Sequence, residues 1–112
     1  MDARPVTVVE TSEFQKQAKA LFSSDEIETL KTFIAYNPTA GVVMRGTGGV
    51  RKLRWAMGGR GKRGGARVIY YFHSAALPAF LVTVYAKSQR KDLTQADRNS
   101  FKQLVDILVS TY

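Results

Sequence analysis

Cysteine is absent from this 112-residue chain, and histidine occurs once, at His73. Without cysteine there is no disulfide, no thiol nucleophile and no thiolate metal site. A lone histidine argues against a histidine-based metal site or a Ser-His-Asp triad built within one chain. Long apolar runs are missing too, since none approaches the roughly 20 residues that cross a bilayer. The opening MDARPVTVVET lacks the charged-then-apolar layout of a secretory signal. These absences lead to the expectation of a soluble cytoplasmic protein with no membrane contact. The length fits one domain, residues 1–112, and a 45% hydrophobic, 11% aromatic composition suffices for a modest core without staples.

Carboxylates are the next scarcity. The chain carries 17 Lys+Arg against 9 Asp+Glu, a formal net charge of +8. Residues 45–67 hold eight basic side chains (Arg45, Arg51, Lys52, Arg54, Arg60, Lys62, Arg63, Arg67) and no acidic one, so this window accounts for the whole excess. The same window holds eight of the nine glycines. Glycine lets a backbone approach a ligand closely, and arginine offers a planar fork matched to phosphate. Together they point to a polyanion site, nucleic acid above all. The competing reading is a solvated basic loop that aids solubility.

Patterning gives the elements. Pro5 to Thr11 is β-rich and reads as a first strand. Ser12 is the expected N-cap of a helix over 13–22, with apolar positions at Phe14, Ala18, Leu21 and Phe22. Ser23 and Glu26 form a capping-box pattern that opens a second helix, striped by Ile27, Leu30 and Ile34. Asn37-Pro38 closes it, because the residue before proline is pushed out of the α region. Residues 39–49 read as loop. From Val50 the period becomes two: Leu53, Trp55 and Met57 fall on one face, Lys52 and Arg54 on the other. Residues 58–65 are too glycine-rich for regular structure and read as a hairpin loop. Two strong strands follow, 66–73 and 80–87. The first places Arg67, Ile69, Tyr71 and His73 on one face; the second places Leu81, Thr83, Tyr85 and Lys87 on one side. Thr94, with Asp97 three residues on, opens a last helix striped by Phe101, Leu104, Val105, Leu108 and Tyr112.

The order β-α-α-β-β-β-α implies an α+β fold, with an antiparallel meander and helices packed on one face of the sheet. The other face is then partly open. It carries Lys52, Arg54, Arg67 and Lys87, with Tyr71 and Tyr85 between them.

This order, the stretch GTGGVRKLRWAMGGRGKRGGARVIYYF from Gly46 to Phe72, and VTVYAKSQRKDLT from Val82 to Thr94 resemble the RelE superfamily of bacterial toxins, nearest to its HigB-type branch. The resemblance covers essentially the whole chain. It implies a small basic ribonuclease that cuts messenger RNA in the ribosomal A site, without cofactor or metal. It implies as partners a cognate, HigA-like antitoxin that binds DNA, the ribosome and mRNA. Paired basic residues of the family match Lys52 and Arg54. The arginine opening the next strand matches Arg67, and the lysine ending the strand after it matches Lys87. The tyrosine that some members use as an acid–base group has no match, because Leu93-Thr94 stands there. The histidines that other members use are matched at most by His73.

The chemistry asks for charge stabilisation on phosphoryl oxygens, a base for the 2′ proton and an acid for the 5′ oxygen. Arg67, Lys52 and Arg54 are the candidates for the first, by electrostatic preorganisation. Crowding among cations would let Lys52 act as the base, and Lys87 or Tyr71 would supply the acid. Arg51, Arg60, Lys62, Arg63 and Arg90 are expected to contact RNA backbone. Two other functions compete: a ParE-like, non-nuclease inhibitor of DNA gyrase on the same fold, and a non-catalytic RNA-binding module.

Overall fold

Local capping sets the first third of the chain. A computed structural model describes residues 4–56, 65–90 and 92–111. A short strand β1 (Val8–Glu10) runs into helix α1 (Ser12–Leu21), whose N-cap is Thr11 rather than the expected Ser12. The hydroxyl of Thr11 accepts from the Phe14 N–H at 3.1 Å and faces the carbonyls of Leu81 and Val82, each at 2.9 Å. A residue that already ends a paired strand is thus the better-placed cap. Helix α2 (Ser24–Tyr36) opens on the expected capping box: the Ser23 N–H donates to Glu26 at 2.8 Å and the Glu26 N–H to Ser23 at 3.2 Å. Such reciprocal caps satisfy two donors that a helix start leaves open. The helix closes at Asn37, as the Pro38 signal requires.

The sheet has five strands in the order β1-β5-β4-β3-β2, formed by β1, β2 (Val42–Val43), β3 (Val50–Trp55), β4 (Ala66–Tyr71) and β5 (Ala79–Ala86). β1 pairs parallel to β5, and the other pairs are antiparallel. Segment 39–49, read as loop, contributes the two-residue edge strand β2, too short to leave a periodic signal. The loop expected at 58–65, and with it Met57, Arg60, Lys62 and Arg63, lies outside the described residues except for Gly65. That glycine has φ +58°, and a Cβ there would meet the Trp55 carbonyl at 2.5 Å. The turn into β4 therefore depends on glycine.

Central strand β4 is buried along its whole length. Ala66, Val68 and Tyr70 face Phe14, Ala18, Leu30 and Ile34 of α1 and α2. Ile69 and Tyr71 face the other way, into a second cluster with Val50, Phe80, Val82 and Val105. Val105 belongs to helix α3 (Gln95–Thr111), whose Phe101, Leu104 and Leu108 pack on the same cluster. The α+β class and the element order match expectation; the placement of α3 does not. It covers part of the second face, because Ile69, Tyr71, Phe80 and Val82 make that face apolar enough to need a cover.

A β-bulge is a further departure. Ile69 pairs with Thr83 but Tyr70 with Leu81, so Val82 is the extra residue on β5. Beyond it the strand's alternation shifts by one: Leu81 packs with the α1–α2 side, whereas Tyr85 joins the α3 side. The single face expected for Leu81, Thr83 and Tyr85 is broken at that point. Among the described residues, no helix is long and apolar enough to cross a membrane.

Candidate nucleic-acid interface

Register decides which cations meet. Arg67 of β4 stands opposite Arg54 of β3 on one side and Tyr85 of β5 on the other. The next row on the same face of the sheet is Lys52, Ile69 and Thr83. Residues directly opposite on neighbouring strands lie about 4.5–5.5 Å apart at Cβ. Arg54, Arg67, Tyr85 and Lys52 therefore form one patch on the α3 side of the sheet. Period two in β3 and β4 put these side chains on one face; pairing brought them side by side.

Arg67 is 6% exposed and, with Thr47, one of two buried polar residues among those described. Its Nη1 donates to the Ala66 carbonyl at 3.3 Å. Burial against two strands restricts the rotamers of a guanidinium that would sweep freely on a loop. Arg54 is exposed and Lys52 half-buried. Like charges directly opposite one another in a sheet are destabilising, so the Arg54–Arg67 pair is a local cost to the fold.

Tyr85 completes the row. It is 9% exposed, and its hydroxyl is buried without a hydrogen-bond partner among the described residues. Burial pushes this phenol above its ordinary pKa, and Asp92 adds to the rise; Arg67 and Arg90 oppose it. The Arg90 guanidinium lies over the Tyr85 ring, 5.5 Å from its centre, in cation–π range. Arg90 is also ion-paired to Asp97, and its Nε donates to the Asp92 carbonyl at 3.2 Å.

The segment after β5 brings carboxylates to this face. Asp92 Oδ1 lies 3.8 Å from Lys52 Nζ and accepts the Leu93 N–H at 2.8 Å. That N–H and then Lys52 hold the Asp92 carboxyl below the usual carboxylate range; burial opposes them, and Arg98 and Lys87 add smaller help. Lys87, just past the end of β5, donates its N–H to the Gly65 carbonyl at 2.9 Å, beside the Ala66–Ala86 pair at the Arg67 end of the sheet. Asp97 accepts the Thr94 N–H at 2.8 Å, while its own N–H donates to the Thr94 hydroxyl at 3.1 Å. This reciprocal cap starts α3 and is the main reason the Asp97 carboxyl is held low.

Of the sequence-derived residues, Lys52, Arg54, Arg67, Lys87 and Arg90 come together. Two do not. Arg51 points to the other side, where its Nη1 donates to the carbonyls of Gly41 at 2.7 Å and Thr39 at 3.2 Å. It fastens a loop. Tyr71 pairs with Val50 and Phe80, two rows from Arg67, and packs in the α3 cluster. Its hydroxyl bonds His73 Nδ1 at 3.1 Å, so both residues are engaged away from the patch. The expectation that Lys52 is crowded by cations alone is also revised, because Asp92 stands beside it. The sequence pattern puts Tyr85 on the open face but assigns it no role. Its orphaned hydroxyl is invisible without coordinates. The pairings of Asp92 and Asp97 depend on loop geometry, although the Thr94–Asp97 spacing did announce the cap.

The patch thus offers a fixed buried guanidinium, flanking cations and a protonated phenol, a set suited to a phosphodiester carrying extra charge. Among solved structures, Escherichia coli toxin RelE, determined as a double-arginine mutant in the free state, superposes with a TM-score of 0.56 at 15% identity, over 78% of this chain and 88% of that one. That likeness shows a shared fold. A family model described as the RelE toxin of the RelE/RelB toxin–antitoxin system matches residues 8–111. Nearly the whole chain is matched, and the protein belongs to the RelE family, the toxin half of a toxin–antitoxin pair.

Proposed function

We propose that this chain is a ribosome-dependent mRNA endonuclease of the HigB-type branch, acting as one domain in the cytoplasm. The single observation that carries this reading is the cross-strand row Arg54–Arg67–Tyr85 with Lys52 one row away. In the reaction, the ribose 2′-oxygen attacks the adjacent phosphorus and the P–O5′ bond breaks. The products are a 2′,3′-cyclic phosphate and a free 5′-hydroxyl. The 2′ proton passes to a base, and a proton is delivered to O5′. No metal or cofactor enters this scheme.

Arg67, Arg54 and Lys52 stabilise the charge growing on the phosphoryl oxygens. A fixed donor of this kind is worth about 10²–10³ in rate. Tyr85 replaces Tyr71 as the donor near the leaving oxygen, with Lys87 beside it. Like any tyrosine it is protonated at neutral pH and so has a proton to offer; burial, which raises its pKa, makes it a weaker acid and argues against a role as base. Arg90, with Arg60, Lys62 and Arg63, extends the contact to neighbouring phosphates. A cognate HigA-like, DNA-binding antitoxin would hold the toxin inactive.

Mapping RNA 5′ ends after induction tests the reading. Cuts inside open reading frames that vanish when translation is arrested are expected. Growth arrest with intact messages would replace it with gyrase inhibition, and the lack of any phenotype with a plain RNA-binding module.

A further inference from the structure

The basic window contains no carboxylate of its own, yet one is delivered to it by Asp92 in the segment that links β5 to α3, and a second, Asp97 in the first turn of α3, reaches Arg90 at the edge of the same patch. Each engages one cation of the patch: Asp92 lies by Lys52, and Asp97 is ion-paired to Arg90. Asp97 has a second duty as the cap of α3. Asp92 has no such duty towards a helix. Its side chain is 63% exposed, but its position is defined at three points: Oδ1 by the Leu93 N–H, the main-chain carbonyl by Arg90, and the carboxylate by Lys52. Three cations, Lys52, Arg98 and Lys87, favour its charged form. A negative group held there sits in the potential that a phosphate would seek.

We propose that the Asp92 carboxylate is an internal anion that occupies the phosphate position at Lys52, so that an RNA phosphate must displace it to bind. The inference rests on the phosphate-binding reading of the patch and adds a brake to it. An exposed ion pair contributes little to stability. Its effect falls instead on competition, because the incoming phosphate both loses the Lys52 charge to Asp92 and meets a like charge beside it. With Asp92 in place, the free protein binds polyanions less avidly than a net charge of +8 would suggest. Full engagement then waits for a partner that supplies many contacts at once.

The test uses the intact protein and a fluorescent, non-cleavable 2′-O-methyl hexanucleotide, titrated at low and moderate salt. Asp92→Asn removes the charge but keeps an oxygen for the Leu93 N–H. It should bind about three- to fivefold more tightly than wild type. Asp106→Asn changes net charge equally on an exposed turn of α3 and should bind like wild type. In a Lys52→Met background, Asp92→Asn should have no effect, since the pair it breaks is already gone. Equal or weaker binding by Asp92→Asn, an equal gain from Asp106→Asn, or a gain that survives Lys52→Met would each overturn the proposal. Wild type that fails to bind the oligonucleotide at all would instead overturn the phosphate reading beneath it.

Discussion

The two faces of the sheet solve opposite problems with the same residue types. On the α1–α2 face, Tyr70 is fully buried, and its hydroxyl donates to the Pro38 carbonyl and accepts the Gly41 N–H, both at 2.8 Å. Arg51 grips two carbonyls of the same loop. A Cβ on Gly41 would come within 2.8 Å of the Tyr70 ring, so loop and ring fit without slack. On the α3 face, Tyr85 is nearly as buried but its hydroxyl is unmatched, and Arg67 sits directly across from Arg54. Buried polar groups are normally satisfied. Arg51 Nε is likewise buried without a hydrogen-bond partner among the described residues on the α1–α2 side. The mark of the α3 face is therefore the like-charge opposition of Arg54 and Arg67 set beside the orphaned Tyr85 hydroxyl, an arrangement organised for something that arrives from outside.

This contrast can be broken or sharpened by substitution. The largest effect is expected at Arg67. Arg67→Lys keeps the charge but loses the planar fork, and on programmed ribosomes cleavage per folded molecule should fall about a hundredfold. Next comes the tyrosine pair. Tyr70→Phe strands a buried N–H and a carbonyl and should lower stability by about 1–3 kcal/mol in a denaturant titration. Tyr85→Phe removes a hydroxyl that has no partner, so stability should hold or rise while cleavage slows about tenfold. If both variants were destabilised alike, the two faces would not differ as described.

Smaller effects follow. Arg54→Gln relieves like-charge opposition and should raise stability by up to about 1 kcal/mol at low salt, while reducing activity. Added salt should erase the stability gain. The smallest effect concerns acid. The carboxyls of Asp92 and Asp97 are held low in the folded protein. Their stabilisation is therefore complete above the ordinary carboxylate pKa and is lost as pH falls through the lower folded values. Asp97→Asn, which can still cap α3, should flatten the acid limb of the stability–pH curve; an unchanged limb would remove Asp97 from the account.

What was legible in the sequence follows from the range of each interaction. The Ser23–Glu26 capping box and the stop at Asn37 are local, and both stand as read. The faces of β3 and β4 follow from period two, which placed Lys52, Arg54 and Arg67 together before any register was known. The reading failed where tertiary pairing intervenes. The bulge at Val82 shifts the alternation of β5, and no residue type there announces it. The stripe of Phe101, Leu104, Val105 and Leu108 shows that α3 buries a face but not which side of the sheet receives it. Arg51 looked like its neighbour Lys52, although alternation alone turns it away. Tyr71 and Tyr85 were indistinguishable until the register set one beside Arg67 and the other two rows off.

The most direct measurement is single-turnover cleavage on mRNA-programmed ribosomes by Arg67→Ala and Arg51→Ala, each scaled to its folded fraction. One arginine lies on each face. The account predicts that Arg67→Ala loses about 10²–10³ in rate while Arg51→Ala, although less stable, cleaves as wild type does per folded molecule. Equal losses, or a fully active Arg67→Ala, would contradict it.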